Sequence, residues 1–62
     1  MRAWLRDIRK GQRKTQADVA KEAGISVQLY SRTESTGMGP SVSTAKKIAS
    51  ALGFDWTRFF EE

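Results

Sequence analysis

The 62-residue chain contains no cysteine and no histidine. Without cysteine it has neither a disulfide framework nor a thiolate metal site. Without histidine it lacks the commonest general base and the commonest neutral metal ligand. No apolar run approaches the roughly 18 residues of a membrane span, and no apolar leader core follows the first arginine. No segment alternates polar and apolar residues with a period of two, so strands are not expected. There is no phosphate-cradling glycine motif and no nucleophile–base pair, which speaks against an enzyme and against a cofactor or small-molecule ligand. Glu61-Glu62 reads as a frayed end, not as a catalytic dyad. What remains is one small domain with a cytoplasmic location as the expectation, close to the lower size at which chains fold unaided.

Charge is unevenly placed along the sequence. Residues 1–32 carry Arg2, Arg6, Arg9, Lys10, Arg13, Lys14, Lys21 and Arg32 against Asp7, Asp18 and Glu22, a net charge of +5. Residues 33–62 carry Lys46, Lys47 and Arg58 against Glu34, Asp55, Glu61 and Glu62, a net charge of −1. A basic half of this kind fits a surface that meets phosphate, although charged residues also simply solvate small helices.

Five helices account for the pattern. The first spans Arg2 to about Lys10, with Trp4, Leu5 and Ile8 on its inner face, and Gly11 loosens the chain after it. Helix 2 covers about 16–23: Thr15 and Asp18 form a capping-box pattern, Val19, Ala20 and Ala23 make the inner stripe, and Gly24 ends it. Ser26 caps helix 3, about 27–34. The Gly/Pro content of residues 35–40 marks a loop. Ser41 caps helix 4, whose Val42, Ala45, Ile48, Ala49 and Leu52 recur at helical spacing before Gly53. Asp55 opens a short fifth helix with Trp56, Phe59 and Phe60.

The segment from Thr15 to Glu34 carries the functional signal. Two short helices joined through Ala23-Gly24-Ile25-Ser26 reverse sharply, the geometry that pushes a helix into the major groove of DNA. At about 100° per residue, Ser26, Tyr30, Thr33 and Glu34 share one side of helix 3. Gln28 and Arg32 lie together opposite them, with Val27 and Ser31 along one edge and Leu29 along the other. The tyrosine face packs inward, leaving Gln28 and Arg32 outward. Glutamine can pair with adenine N6/N7 and arginine with guanine O6/N7, while Val27 offers apolar contact to a thymine methyl. Gln16 sits in the first turn of helix 2, where free N–H groups and the helix dipole favour a phosphate. Lys10, Arg13 and Lys14 lie just before it as electrostatic phosphate contacts, and Leu29 and Ser31 border the DNA backbone.

Leu5 with Ile8-Arg9, Thr15-Gln16, Val19-Ala20, Ala23-Gly24-Ile25-Ser26, Arg32, Glu34, Pro40-Ser41 and Ile48-Ala49 with Ala51-Leu52-Gly53 resemble the phage repressor and Cro-type helix-turn-helix domains, also called the Xre family. The resemblance covers nearly the whole chain. It implies a compact all-α, lambda-repressor-like fold of five helices and a sequence-specific regulator, a repressor by this analogy, acting on double-stranded DNA. It places the base-reading positions at Val27, Gln28 and Arg32. It also implies an ion pair between Arg9 and Glu34, with a free, phosphate-facing Arg9 as the competing reading.

Four departures from the family pattern bear on these expectations. Lys14 stands where an aliphatic core residue is usual. Gly11 lies two residues before the usual turn glycine, which predicts a reshaped connection between helices 1 and 2. Tyr30 and Thr33 exchange a large and a small core position. The loop from Thr36 to Pro40 has no basic residue, which predicts weaker binding or a shallower salt dependence. Finally, Phe54, Trp56, Phe59 and Phe60 crowd the C-terminal end; most are expected to cap the core, and one or two to form a homodimer patch around helices 4 and 5. An antitoxin or controller protein of the same fold, or an interaction module that has lost DNA binding, are the alternative functions.

Overall fold

Three helix starts are built the same way. In the computed structural model, which describes residues 1–62, the hydroxyls of Thr15, Ser26 and Ser41 accept the backbone N–H groups of Asp18, Leu29 and Thr44 at 3.0, 3.1 and 3.1 Å. They open α2 (Gln16–Ala23), α3 (Val27–Ser35) and α4 (Val42–Leu52). Each satisfies a donor that a helix start leaves without an internal partner. At α2 the Asp18 carboxylate returns a bond to the Thr15 N–H at 2.9 Å, completing the capping box. Those bonds hold the Asp18 carboxyl below the usual carboxylate range. Gly24 and Gly53 end α2 and α4 at φ 71° and 80°, a conformation that costs a residue with a Cβ. No helix is long and apolar enough to cross a membrane.

The first helix, α1 (Ala3–Gly11), is anchored differently. It has no side-chain cap, and the Arg2 N–H instead donates to the Glu34 carbonyl at 2.8 Å. Arg2 itself is buried, and its Nη1 donates to the carbonyls of Thr33 and Thr36 at 2.6 and 3.1 Å. A cation thereby meets the carbonyl end of α3, where the helix dipole is negative.

The expected fifth helix is a 3-10 turn over Trp56–Phe60. The N–H groups of Arg58 and Glu61 reach back three residues, to Asp55 and Arg58, the bonding of the tighter helix that chains use in short pieces. The terminus is not frayed either. Both carboxylate oxygens of Glu62 accept from Arg2 Nε at 3.0 and 2.9 Å, and one also accepts from Trp4 Nε1 at 2.8 Å.

The core is one cluster: Leu5 from α1, Val19, Ala20 and Ala23 from α2, Tyr30 from α3, Ala45, Ile48 and Leu52 from α4, and Phe59 from the 3-10 turn. Helix α2 packs on both α3 and α4, and the turn closes over α4. Most C-terminal aromatics are absorbed here. Trp4, Phe54 and Phe59 form a triangle with centroids 5.2–5.6 Å apart, in tilted or edge-on arrangements. Phe60 is the exception, 52 % exposed and edge-on to Trp56. Tyr30 and Thr33 are both fully buried, so the large and small positions complement each other within the core. The Thr33 hydroxyl donates to the Leu29 carbonyl at 2.8 Å.

Arg9 and Glu34 are also inside, 8 % and 2 % exposed. They form a two-bond ion pair, Nε to Oε2 and Nη2 to Oε1, both at 2.9 Å. The remaining Arg9 Nη1 donates to the Lys14 carbonyl at 2.9 Å. The pair therefore joins α1, the start of α2 and the end of α3, and Arg9 is not free to meet a phosphate. Burial alone would raise the Glu34 carboxyl, but hydrogen bonds from Arg9 and Gln16 outweigh it and hold the carboxyl below its ordinary value. The Tyr30 hydroxyl is buried without a hydrogen bond of good geometry. Burial first, and the Glu34 carboxylate second, push its ionisation upward.

The connection between α1 and α2 keeps its turn at a different residue. Gly11 does not loosen the chain; it is the last residue of α1, and the left-handed position falls on Arg13, at φ 57°. Nothing lies within 4 Å of a Cβ built on Gly11.

Four outcomes are expected from these contacts. Gly11→Ala removes backbone freedom from the unfolded chain without a clash and is expected to stabilise by about 0.4–1 kcal/mol, a rise of a few degrees in Tm by calorimetry. Arg13→Gly is expected to raise Tm as well, because it relieves a left-handed L-residue. Arg9→Ala leaves a buried carboxylate unpaired and is expected to cost about 3–5 kcal/mol, comparable to the whole stability of so small a domain; circular dichroism should show it largely unfolded. The stability that Glu34 contributes is complete above its ordinary value of 4.5 and is lost as pH falls through its lower folded value. Urea midpoints should therefore fall below about pH 4.5 more steeply for the unsubstituted protein than for Glu34→Gln.

Candidate nucleic-acid interface

An open groove runs between the start of α2 and the outer face of α3. It is lined by Gln16, Val27, Gln28, Ser31, Arg32, Ser35 and Thr36. The groove exists because Tyr30, Thr33 and Glu34 turn α3 inward by their burial, which leaves the opposite row of the same helix at the surface. Gln28 and Arg32 are exposed, and Val27 is 39 % exposed beside them. An amide, a guanidinium and a small apolar side chain on one ridge match the donor, acceptor and methyl pattern of a major-groove floor.

Gln16 stands on the α2 wall of this groove, half-buried, with its Nε2 donating to Glu34 Oε1 at 3.2 Å. The Asp18 N–H is satisfied by the Thr15 cap, which leaves the N–H groups of Gln16 and Ala17 unbonded within the protein. These donors and the positive end of α2 favour an anion at the groove edge.

The other expected backbone contacts are spread more widely. Lys10 and Arg13 are exposed before α2, outside the groove lining. Lys14 is placed otherwise than a free surface cation. Its ammonium pairs with Glu22 at 2.9 Å and reaches the Ala51 carbonyl at 3.4 Å, so it ties the start of α2 to the end of α4. Ser31 is half-buried in the groove, and Leu29 is half-buried on the other edge of α3.

Ser35 and Thr36 were not among the candidates, yet they extend the groove at the far end of α3. Their signal was present in the spacing, since they follow Ser31 and Arg32 by four residues. Both hydroxyls point back into the helix end, to the carbonyls of Ser31 and Arg32 at 2.7 Å each. They supply a neutral rim where no basic side chain stands. Arg2, which holds this helix end from behind, had no periodic signal at all.

Known proteins resemble this domain in sequence. A family model described as helix-turn-helix matches residues 5–59. The chain is 47 % identical over 62 residues to an uncharacterized HTH-type transcriptional regulator, YqaF, of Bacillus subtilis (strain 168), covering all of this chain and 82 % of that protein. No solved structure gives a significant match. The chain belongs to the Xre-type helix-turn-helix family of DNA-binding transcriptional regulators, which are not enzymes.

Proposed function

We propose that this domain is a sequence-specific repressor in the cytoplasm that lays α3 in the major groove of an operator. The observation that carries the reading is the single open groove that combines Gln16 from α2 with Val27, Gln28, Ser31 and Arg32 from α3. In this reading Arg32 grips a guanine, Gln28 an adenine, and Val27 packs on a thymine methyl. Gln16 and the first amides of α2 fix the register on a phosphate, with Lys10 and Arg13 adding charge and Leu29 and Ser31 bordering the backbone. Lys14 joins them only if it leaves Glu22. The neutral rim at Ser35 and Thr36 makes the phosphate grip one-sided, concentrated at α2.

A two-fold arrangement on DNA suits this mode, with half-sites about 34 Å apart on a pseudo-palindrome. Exposed Phe60 with its neighbour Trp56 is the apolar edge through which two copies would meet. Sedimentation with a selected duplex is expected to show two protein copies per site; one copy would remove the dimer from the reading.

Selection of bound sequences from random duplexes, followed by gel shifts at several salt concentrations, tests the assignment. Enrichment of a defined sequence is expected, and none at low salt would overturn it. On the selected site Arg32→Ala should relax preference at one base position by about 1–3 kcal/mol. Lys10→Ala should instead weaken all sequences alike and lower the salt slope by about 1.

A further inference from the structure

We infer that Glu34 is a positioning residue for DNA binding: its buried carboxylate orients the Gln16 amide so that a phosphate meets an N–H and not an oxygen. The inference rests on the proposed reading of the groove and names the residue behind it that sets the phosphate contact. Gln16 Nε2 donates to Glu34 Oε1 at 3.2 Å, and the same oxygen accepts from Arg9 Nη2 at 2.9 Å. An ionised carboxylate only accepts hydrogen bonds, so the nitrogen end of the Gln16 amide must face it. That nitrogen carries two hydrogens. One is engaged by Glu34, and the other has no partner within the protein, so it is available to a phosphate, which likewise only accepts.

The arrangement needs all three residues. Without the carboxylate, the Gln16 amide is free to turn its oxygen outward, and an oxygen repels a phosphate. Without Arg9, the buried negative charge behind Gln16 would oppose the incoming anion. The two-bond pair screens Glu34 while keeping it ionised, so it can orient Gln16 without repelling DNA. Glu34 is 2 % exposed and never reaches the nucleic acid itself. Its influence on binding passes through Gln16.

The test is a double-substitution cycle on a selected operator, read by fluorescence anisotropy at a temperature where circular dichroism shows every variant folded. Gln16→Ala is expected to weaken binding about tenfold, of the order of one charge-assisted hydrogen bond. Glu34→Gln is expected to weaken binding several-fold with Gln16 in place and less than twofold when combined with Gln16→Ala. Equal losses in both backgrounds would overturn the inference, because a purely architectural Glu34 acts regardless of residue 16. Failure of the unsubstituted protein to bind any selected duplex would instead overturn the DNA-binding reading itself, and this role with it. Should Glu34→Gln not fold, nitrogen-15 relaxation of the side-chain amides in the unsubstituted protein decides the matter. Gln16 is expected to be as restrained as the backbone while exposed Gln28 moves freely; a Gln16 amide as mobile as that of Gln28 would overturn it.

Discussion

The buried Arg9–Glu34 pair is the constraint on which the rest of this small domain depends. Two charges removed from water need nearly all of their hydrogen-bonding capacity satisfied inside the protein. Here that demand is met from three directions. Glu34 takes two bonds from Arg9 and one from Gln16, and Arg9 gives its remaining reach to the Lys14 carbonyl. Satisfying the pair therefore fixes where α1, the start of α2 and the end of α3 stand relative to one another. With only ten apolar residues buried, such polar contacts carry a share of the architecture that a larger core would otherwise provide. The Arg2 clasp repeats the pattern nearby, joining the α1 start, the α3 end and Glu62 through one guanidinium.

The same constraint shapes the binding face. Glu34 can be buried only if its side of α3 faces the core, and this turns Gln28 and Arg32 to the opposite side. The inward contacts and the outward ridge are thus two aspects of one helix rotation. Gln16 lies where the buried network and the groove touch. In the proposed DNA-binding mode, a groove with few cationic groups gains from having the Gln16 amide held in a fixed orientation, because less rotamer freedom is lost on binding.

Much of the fold was legible along the chain. Thr15, Ser26 and Ser41 at the helix starts, and Gly24 and Gly53 at two helix ends, are local signals whose physics lies within four residues, and the structure places those boundaries at the expected residues. The outward pair Gln28 and Arg32 followed from helical periodicity. Local reasoning failed at three places. Gly11 looked like a loosened turn, yet the left-handed residue is Arg13, because Arg9 and Lys10 carbonyls hold the helix end beyond the glycine. Lys14 looked like a free cation, but Glu22 and the end of α4 claim it. The fifth helix is a 3-10 turn, its N–H groups bonding back three residues and not four.

The sequence by itself determined the helical class, the order of the helices, the glycine turn between α2 and α3, and which row of α3 is polar. Each of these depends on capping chemistry or on a 3.6-residue period, and both are complete within one element. Only the tertiary structure decided that Arg9 is buried and not free for phosphate, that Arg2 and Glu62 clasp the end of α3, and that Gln16 is held from behind by Glu34. Those outcomes turn on residues from 18 to 60 positions apart being brought within hydrogen-bond distance. Desolvation and charge act on distance in space, and no pattern along the chain records it.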